Sequence, residues 1–481
     1  MNRKKRNLIV TISLIQLALI VAIANTAFLL ETFIPSVYWE YVPRFIVATT
    51  GVRDKQVLSV EDSQAVEVAA LGLLDSLDLS EDEQIEASSA LAPIPETEEE
   101  ENIAESVETI APTPTEILAE TSTPTAVPPT STPTPSPTPM PLNHQIIGLV
   151  NQPQKANNCG PTNLSIVLNF YGDNTTQAEA ANYLKPNRDD RNVSPWQISD
   201  YVNEFTNLRS ITRANGNQEL LQELVASGFP VVIEKGYDPE AADAYGWYGH
   251  YLTVFGYDIA KQEYNTIDTF LGPFIDKDVQ VQGYTLEDGY IYSFDYVAKY
   301  WQQFNYTFYI VYEPQREEEL YAILGDDYIY TEDNWEAAAR RAQSQLETDP
   351  DNAFVWFNLG TSLTELGKKT RNAEHYEKAA VAFDRARSLG LPSRMLWYQH
   401  SPFTAYNEMG RHEDALELAN ATLVDAGGRT IEEVYLHKGH TLVYLGEFED
   451  ALAAYNQAIS LNSGYYPAII GRDSLQSFLD S

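Results

Sequence analysis

"QPQKANNCGPTNLSIVLNFYG", Gln152 to Gly172, holds the only cysteine of a 481-residue chain. One thiol cannot close an internal disulfide. It is a core residue, an intermolecular link or a nucleophile. Pro161 suits the first turn of a helix, where its missing N–H costs nothing. Leu164, Val167, Leu168 and Tyr171 then recur at helical spacing. Cys159 therefore falls at or just before a helix N-terminus, where the helix dipole favours thiolate over thiol. Gly160 lets a substrate backbone approach. A lone cysteine is usually structural; this context favours the nucleophile.

A thiol nucleophile needs a base. Of seven histidines, only His144 and His250 belong to the region around Cys159. The other five fall in later helical segments and are expected on exposed helix surfaces. His144 lies at the region's edge. His250 opens the strand pattern "HYLTVFGYD", with Gly249 leaving space beside it. It is equally an ordinary strand-edge residue. "DIAKQ" joins this strand to "EYNTIDTF" from Glu263, a spacing that predicts an antiparallel hairpin. His250 then lies near Asp268, on one face if even-numbered residues pair with even. A carboxylate there fixes the imidazole tautomer. Alternatively Asp268 only starts the turn toward "FLGP"; Asp258 competes from the far end of the first strand. An oxyanion donor completes such a site. Gln154 is preferred to Gln152, and either can be a plain surface amide.

Around this site helices come first and strands later. Gln177–Leu184, Pro195–Phe205 and Gln218–Ser227 read as helices; "FPVVIEKG" from Phe229 and "FYIVYE" from Phe308 read as strands. This predicts an α+β domain over residues 143–315. From Asn334 the pattern is purely helical. Ala379, Ala415 and Ala451 recur 36 residues apart. Gly360, Gly410, Gly439 and Gly446 sit upstream, where small residues let paired helices pack closely. Over residues 328–470 period and pattern resemble tetratricopeptide repeats, an all-α solenoid. The insertion "KKTRNAEHYEK" departs from that pattern.

The N-terminal third reads differently. Basic residues in 1–7 precede an apolar run, Leu8–Leu30. At about 1.5 Å per residue the run spans the roughly 30 Å hydrocarbon core. The positive-inside rule places residues 1–7 in the cytosol and the remainder outside, with an uncleaved anchor preferred to a signal peptide. Residues 31–142 read as a disordered linker. From Gln56 to Leu142 there are 18 Asp or Glu and no Lys or Arg, and Pro112–Pro141 is a Thr/Pro/Ser tract, a semi-rigid spacer from the membrane. A short helix is allowed near Val66–Leu79, without a packed domain. A net charge of −38 makes nucleic acid a poor partner. No His or Cys spacing suggests a metal site, and no cofactor is expected.

"QPQKANNCGPTNLSIVLNFYG", "GHYLTVFGYD" and "NTIDTF" resemble the papain-like cysteine peptidases related to the bacteriocin-leader-processing domain of export ABC transporters, peptidase family thirty-nine, in its stand-alone subgroup. The resemblance covers roughly residues 144–314. It implies Cys159 as nucleophile, His250 as base, Asp268 as orienting residue and an upstream Gln, here Gln154, at the oxyanion. The Gln spacing differs from that of transporter-attached domains, and Asp268-Thr269 replaces their Asp-Pro. No P-loop follows, so the chain is not a transporter. The expectation is a membrane-anchored extracytoplasmic cysteine peptidase of the cell surface, with a peptide or protein substrate and a partner recruited by the repeats. The alternatives are an inactive binding scaffold, or a cysteine amidase or transpeptidase acting on cell-wall peptides.

Overall fold

The structure, a computed structural model, describes residues 55–60, 62–77, 140–238, 246–270, 280–281 and 289–481. The expected span Leu8–Leu30 and most of the Thr/Pro tract lie outside them. Among the described residues no helix is long and apolar enough to cross a membrane.

Part of the expected linker is folded. Helix α1, Ser63–Ser76, is capped by Asp62, whose Oδ1 accepts from Ala65 N at 3.0 Å. Its Ala70 and Leu73, with Val57 and Leu77, enter the core of the C-terminal helices. Ahead of it, Val57 N donates to Leu391 O (2.8 Å) and Ser393 N donates to Lys55 O (3.1 Å). Acidic composition predicted an extended chain; a few apolar side chains at helical spacing outweigh it here, because an existing core receives them.

The α+β region is built on one eight-stranded sheet, ordered β2-β8-β3-β4-β5-β7-β6, with β1 also pairing β4. The strands are β1 Asn143–Gln145, β2 Arg209–Arg213, β3 Val231–Tyr237, β4 Tyr248–Asp258, β5 Glu263–Asp268, β6 Gln280–Val281, β7 Tyr290–Ser293 and β8 Phe308–Tyr312. All the pairings are antiparallel. One face carries α2 (Cys159–Phe170), α3 (Gln177–Leu184) and α4 (Pro195–Phe205), packed through Leu164, Val167 and Ile198 on Val232 and Tyr309. The other carries α5 (Gln218–Ala226) and α6 (Phe294–Gln302), through Leu221, Leu224 and Trp301 on Ile233 and Leu252. Capping chemistry sets the helix starts. Thr176–Glu179 and Ser194–Gln197 are reciprocal capping boxes, and Pro195 opens α4. Covered on both faces, β4 is buried along nearly its whole length.

Short helices α7 (Glu317–Leu324) and α8 (Asp326–Ile329) lead into α9 (Thr331–Thr348), α10 (Ala353–Thr370), α11 (Ala373–Leu389), α12 (Ser401–Glu408), α13 (His412–Val424), α14 (Glu432–Leu445), α15 (Phe448–Leu461) and α16 (Tyr466–Leu479). The glycines divide into two roles. A Cβ on Gly360 would stand 2.7 Å from Phe383, and one on Gly439 2.5 Å from Tyr455, so these permit close helix pairs. Gly410 and Gly446 instead hold φ of +70° and +77° after helix ends. The insertion, Lys368–Lys378, carries α10 on to Thr370, where Arg371 at φ 57° ends it, and supplies the first turn of α11. Gly360→Val is expected to cost about 1–3 kcal/mol by overpacking, read as a lowered midpoint of urea unfolding.

The sheet region lends a few residues to the core of the repeats. Ala214, Trp247 and Phe304 of the sheet region belong to the same buried cluster as Trp356 and Phe383. Asn334 clamps the backbone of Ala214 on both sides, accepting from its N–H at 2.9 Å and donating to its carbonyl at 3.0 Å. Trp196 stacks on Trp335 at 5.7 Å. The expectation of exposed repeat histidines fails for all five, since His375 and His412 are half-buried as well as His400, His437 and His440. His400, His437 and His440 lie in a row, with ring centroids 5.8 and 6.1 Å apart in turn. His437 and His440 line a cavity of about 370 Å³ between α12, α14 and α15.

Candidate active site

Cys159 is the first residue of α2. Asn158 supplies no side-chain cap there, which leaves first-turn N–H groups for other acceptors. The His250 side chain and the backbone N–H groups of Gly160 and Tyr251 are the groups that stabilise charge on the sulfur. Burial alone would push the thiol pKa up. The hydrogen bond and charge of His250, then the two N–H groups, outweigh it, and the net shift is downward.

His250 stands near the start of β4 and Asp268 at the end of β5. Nε2 of His250 lies 2.8 Å from Asp268 Oδ1, so Nδ1 is the nitrogen that faces the thiol. The hairpin brings them together in an unexpected way. Asp258 pairs with Glu263 and Gly256 with Asn265, but past Phe255 the register shifts, and Leu252 pairs with Asp268. The bulge at Phe255 puts Asp268 on the face of Leu252, and therefore of His250. Burial drives His250 toward neutrality. The charge and hydrogen bond of Asp268, then those of Cys159, reverse this and raise its pKa to about 9. For Asp268, burial raises the pKa, while His250, Lys235 and the Phe270 N–H bring it down to about 2. The result favours a thiolate–imidazolium pair next to an anionic carboxylate.

The second oxygen of Asp268 accepts from Tyr292 Oη at 2.7 Å, and Phe270 N donates to Oδ1 at 2.9 Å. With His250, these fix both carboxylate oxygens. Tyr292 was not singled out in the sequence, because β7 is a four-residue strand beyond a long connection. Lys235, paired with His250 across β3 and β4, places its ammonium 4.7 to 5.8 Å from the rings of Tyr237, Tyr292, Tyr296 and Tyr300.

Gln154 is tied to the same corner. Its N–H donates to Thr269 O at 2.9 Å, and Thr269 Oγ1 donates to its Oε1 at 2.8 Å. The side-chain carbonyl is thereby occupied, leaving the Nε2 end to donate. Gln152 turns away, its Nε2 3.5 Å from Asn169 Oδ1 in an exposed position. Thr269, where the resemblance leads one to expect proline, thus holds the glutamine. Buried Asn163, one turn after Cys159, ties the helix to the sheet. It donates to Cys159 O (2.9 Å) and Tyr251 O (3.3 Å) and accepts from Thr253 Oγ1 (2.6 Å). The competitors lie elsewhere. His144 pairs with Tyr257, seven residues along β4 from His250, roughly 20 Å at strand rise. Asp258 caps the exposed turn with Lys261 at 3.1 Å.

Cys159, Gly160, Glu234, Gly249 and His250 line a cavity with Arg191 and with Tyr398 from the repeats. Glu234 is buried. Burial first, then the charge of Cys159, pushes its carboxyl well above the usual range, so it faces the thiol in its neutral form.

Comparison with known families gives three matches. Residues 144–309 match the "Peptidase_C39 like family". Residues 324–387 and 432–465 match two tetratricopeptide repeat families. The chain carries a peptidase C39-like domain followed by tetratricopeptide repeats. It is a cysteine peptidase-like protein with protein-interaction repeats. A search of the curated proteins finds no match. The C39-like match ends inside β8 and the first repeat match begins within α7.

Proposed function

We propose that the C39-like domain is a working cysteine peptidase. One observation carries the reading: a helix-start thiol and an imidazole line one small cavity, and the imidazole's Nε2 is held by a buried carboxylate at 2.8 Å. Cys159 attacks the scissile carbonyl. His250 carries the proton and delivers it from Nδ1 to the leaving amine. Asp268 orients the ring. The Cys159 N–H and Gln154 Nε2 hold the oxyanion. Water then releases the acyl group from sulfur, His250 acting as base. The repeats recruit the substrate or a partner protein. The apolar run Leu8–Leu30 behind a basic tail supports a single membrane anchor with the peptidase outside the cytosol.

The test is digestion of a peptide library by the purified chain, with Cys159→Ser as control. Cys159-dependent cleavage products are expected. Rapid alkylation of Cys159 by iodoacetamide without any such product would point to amidase or transpeptidase chemistry. Slow alkylation, unchanged in His250→Ala, would leave only a binding scaffold.

A further inference from the structure

We propose that Tyr398, a residue of the repeats, is a specificity-determining gate of the catalytic cleft, selecting by size what reaches Cys159. This rests on the peptidase reading above. The cavity at the thiol is about 10 Å³, room for about one water. Its other walls come from the C39-like domain, Gly160, Arg191, Glu234 and His250 among them, and the repeats supply Tyr398. The ring has no slack on the side of the catalytic strand. A Cβ added to Gly249 would stand 3.1 Å from Tyr398 and 2.8 Å from Phe304. An acyl group on the sulfur needs more space than one water, so the ring must turn aside in proportion to the bulk that enters.

The ring is also held from behind. Trp247 and Phe304 meet it edge-on at 6.0 and 5.9 Å. The 3-10 turn that carries it, Ser393–Trp397, is pinned to the C39-like domain at two points: Arg394 Nη1 donates to Trp247 O at 3.3 Å, and the Arg191 guanidinium lies 5.0 Å over Trp397. Further along, Asn187 donates to Thr430 O (3.1 Å), Thr430 to Asp189 O (3.0 Å), and Asn192 to Glu433 (3.2 Å). The gate is thus a built wall, fixed to both regions, and its position belongs to the repeats as much as to the peptidase.

Two reagents on the full chain test this: iodoacetamide, and an iodoacetamide bearing an N-naphthyl group. Both lose iodide to the Cys159 thiolate and differ only in bulk. The rate ratio, small over bulky, is measured for the natural chain, Tyr398→Phe and Tyr398→Ala. The natural chain and Tyr398→Phe should share a high ratio. Tyr398→Ala should lower it at least about tenfold by raising the bulky rate alone, a change of about 1.4 kcal/mol in barrier. A ratio unchanged in Tyr398→Ala, or both rates rising together, overturns the gate while leaving the peptidase standing. Slow, His250-independent reaction of the natural chain with iodoacetamide overturns both.

Discussion

His250→Ala is expected to slow alkylation of Cys159 at pH 7 by at least about thirtyfold, because an ordinary thiol is only a few per cent thiolate there. The loss of peptide turnover should be larger, about 10²–10⁴-fold, since the proton shuttle goes as well. The sign of the pH dependence follows from the two shifts. The lowered thiol pKa gives reactive thiolate already below the ordinary thiol range, and His250 keeps its proton up to about 9. The natural chain should therefore show an early rise in alkylation rate and a plateau that changes near pH 9. Without the imidazole, burial is the dominant influence left on the sulfur, and a single rise at higher pH is expected. Stopped-flow alkylation against pH measures both. An unchanged early rise in His250→Ala would separate the thiol from the imidazole.

Gln154→Ala should lower kcat about 10²–10³-fold, the usual cost of one oxyanion donor, while alkylation of Cys159 by iodoacetamide keeps its rate. The split follows from geometry. Thr269 occupies the carbonyl end of the glutamine, and alkylation develops no oxyanion. Thr269→Val leaves the amide in place but untethered, so a smaller loss of about tenfold in kcat is expected, one hydrogen bond's worth of orientation. Equal kcat in Gln154→Ala and the natural chain would remove Gln154 from the reaction. Gln152→Ala, by contrast, should change kcat little.

Much of this was readable beforehand, for local reasons. The helices Gln177–Leu184 and Pro195–Phe205 begin and end where expected, because capping residues and apolar spacing are short-range signals. The placement of Cys159 at a helix start followed from Pro161 in the same way. The parity of the β4–β5 ladder did not. Counted from the Asp258–Glu263 end, a regular ladder would set Leu252 opposite Thr269 and turn Asp268 to the other face. The half-step comes from Phe255, which no residue preference marks; its carbonyl instead accepts from Ile146 N at 2.8 Å. Tyr292, Asn163 and Tyr398 were invisible for a related reason. Each acts across a separation that only the finished fold closes, and Tyr398 does so from a different domain. The fold of residues 55–77 was missed because the composition of the whole acidic stretch hid a few apolar residues that have a core to join.

The docking of residues 55–77 also ties the N-terminal side of the chain to the repeats. The folded body takes up the chain at Lys55, whose carbonyl accepts from Ser393 N, and takes it up again at Met140. Tension on the N-terminal chain arrives first at Lys55, and so at the first residue of the turn that carries Tyr398. Lys55 and the wall of the thiol cavity are thus held by one short turn.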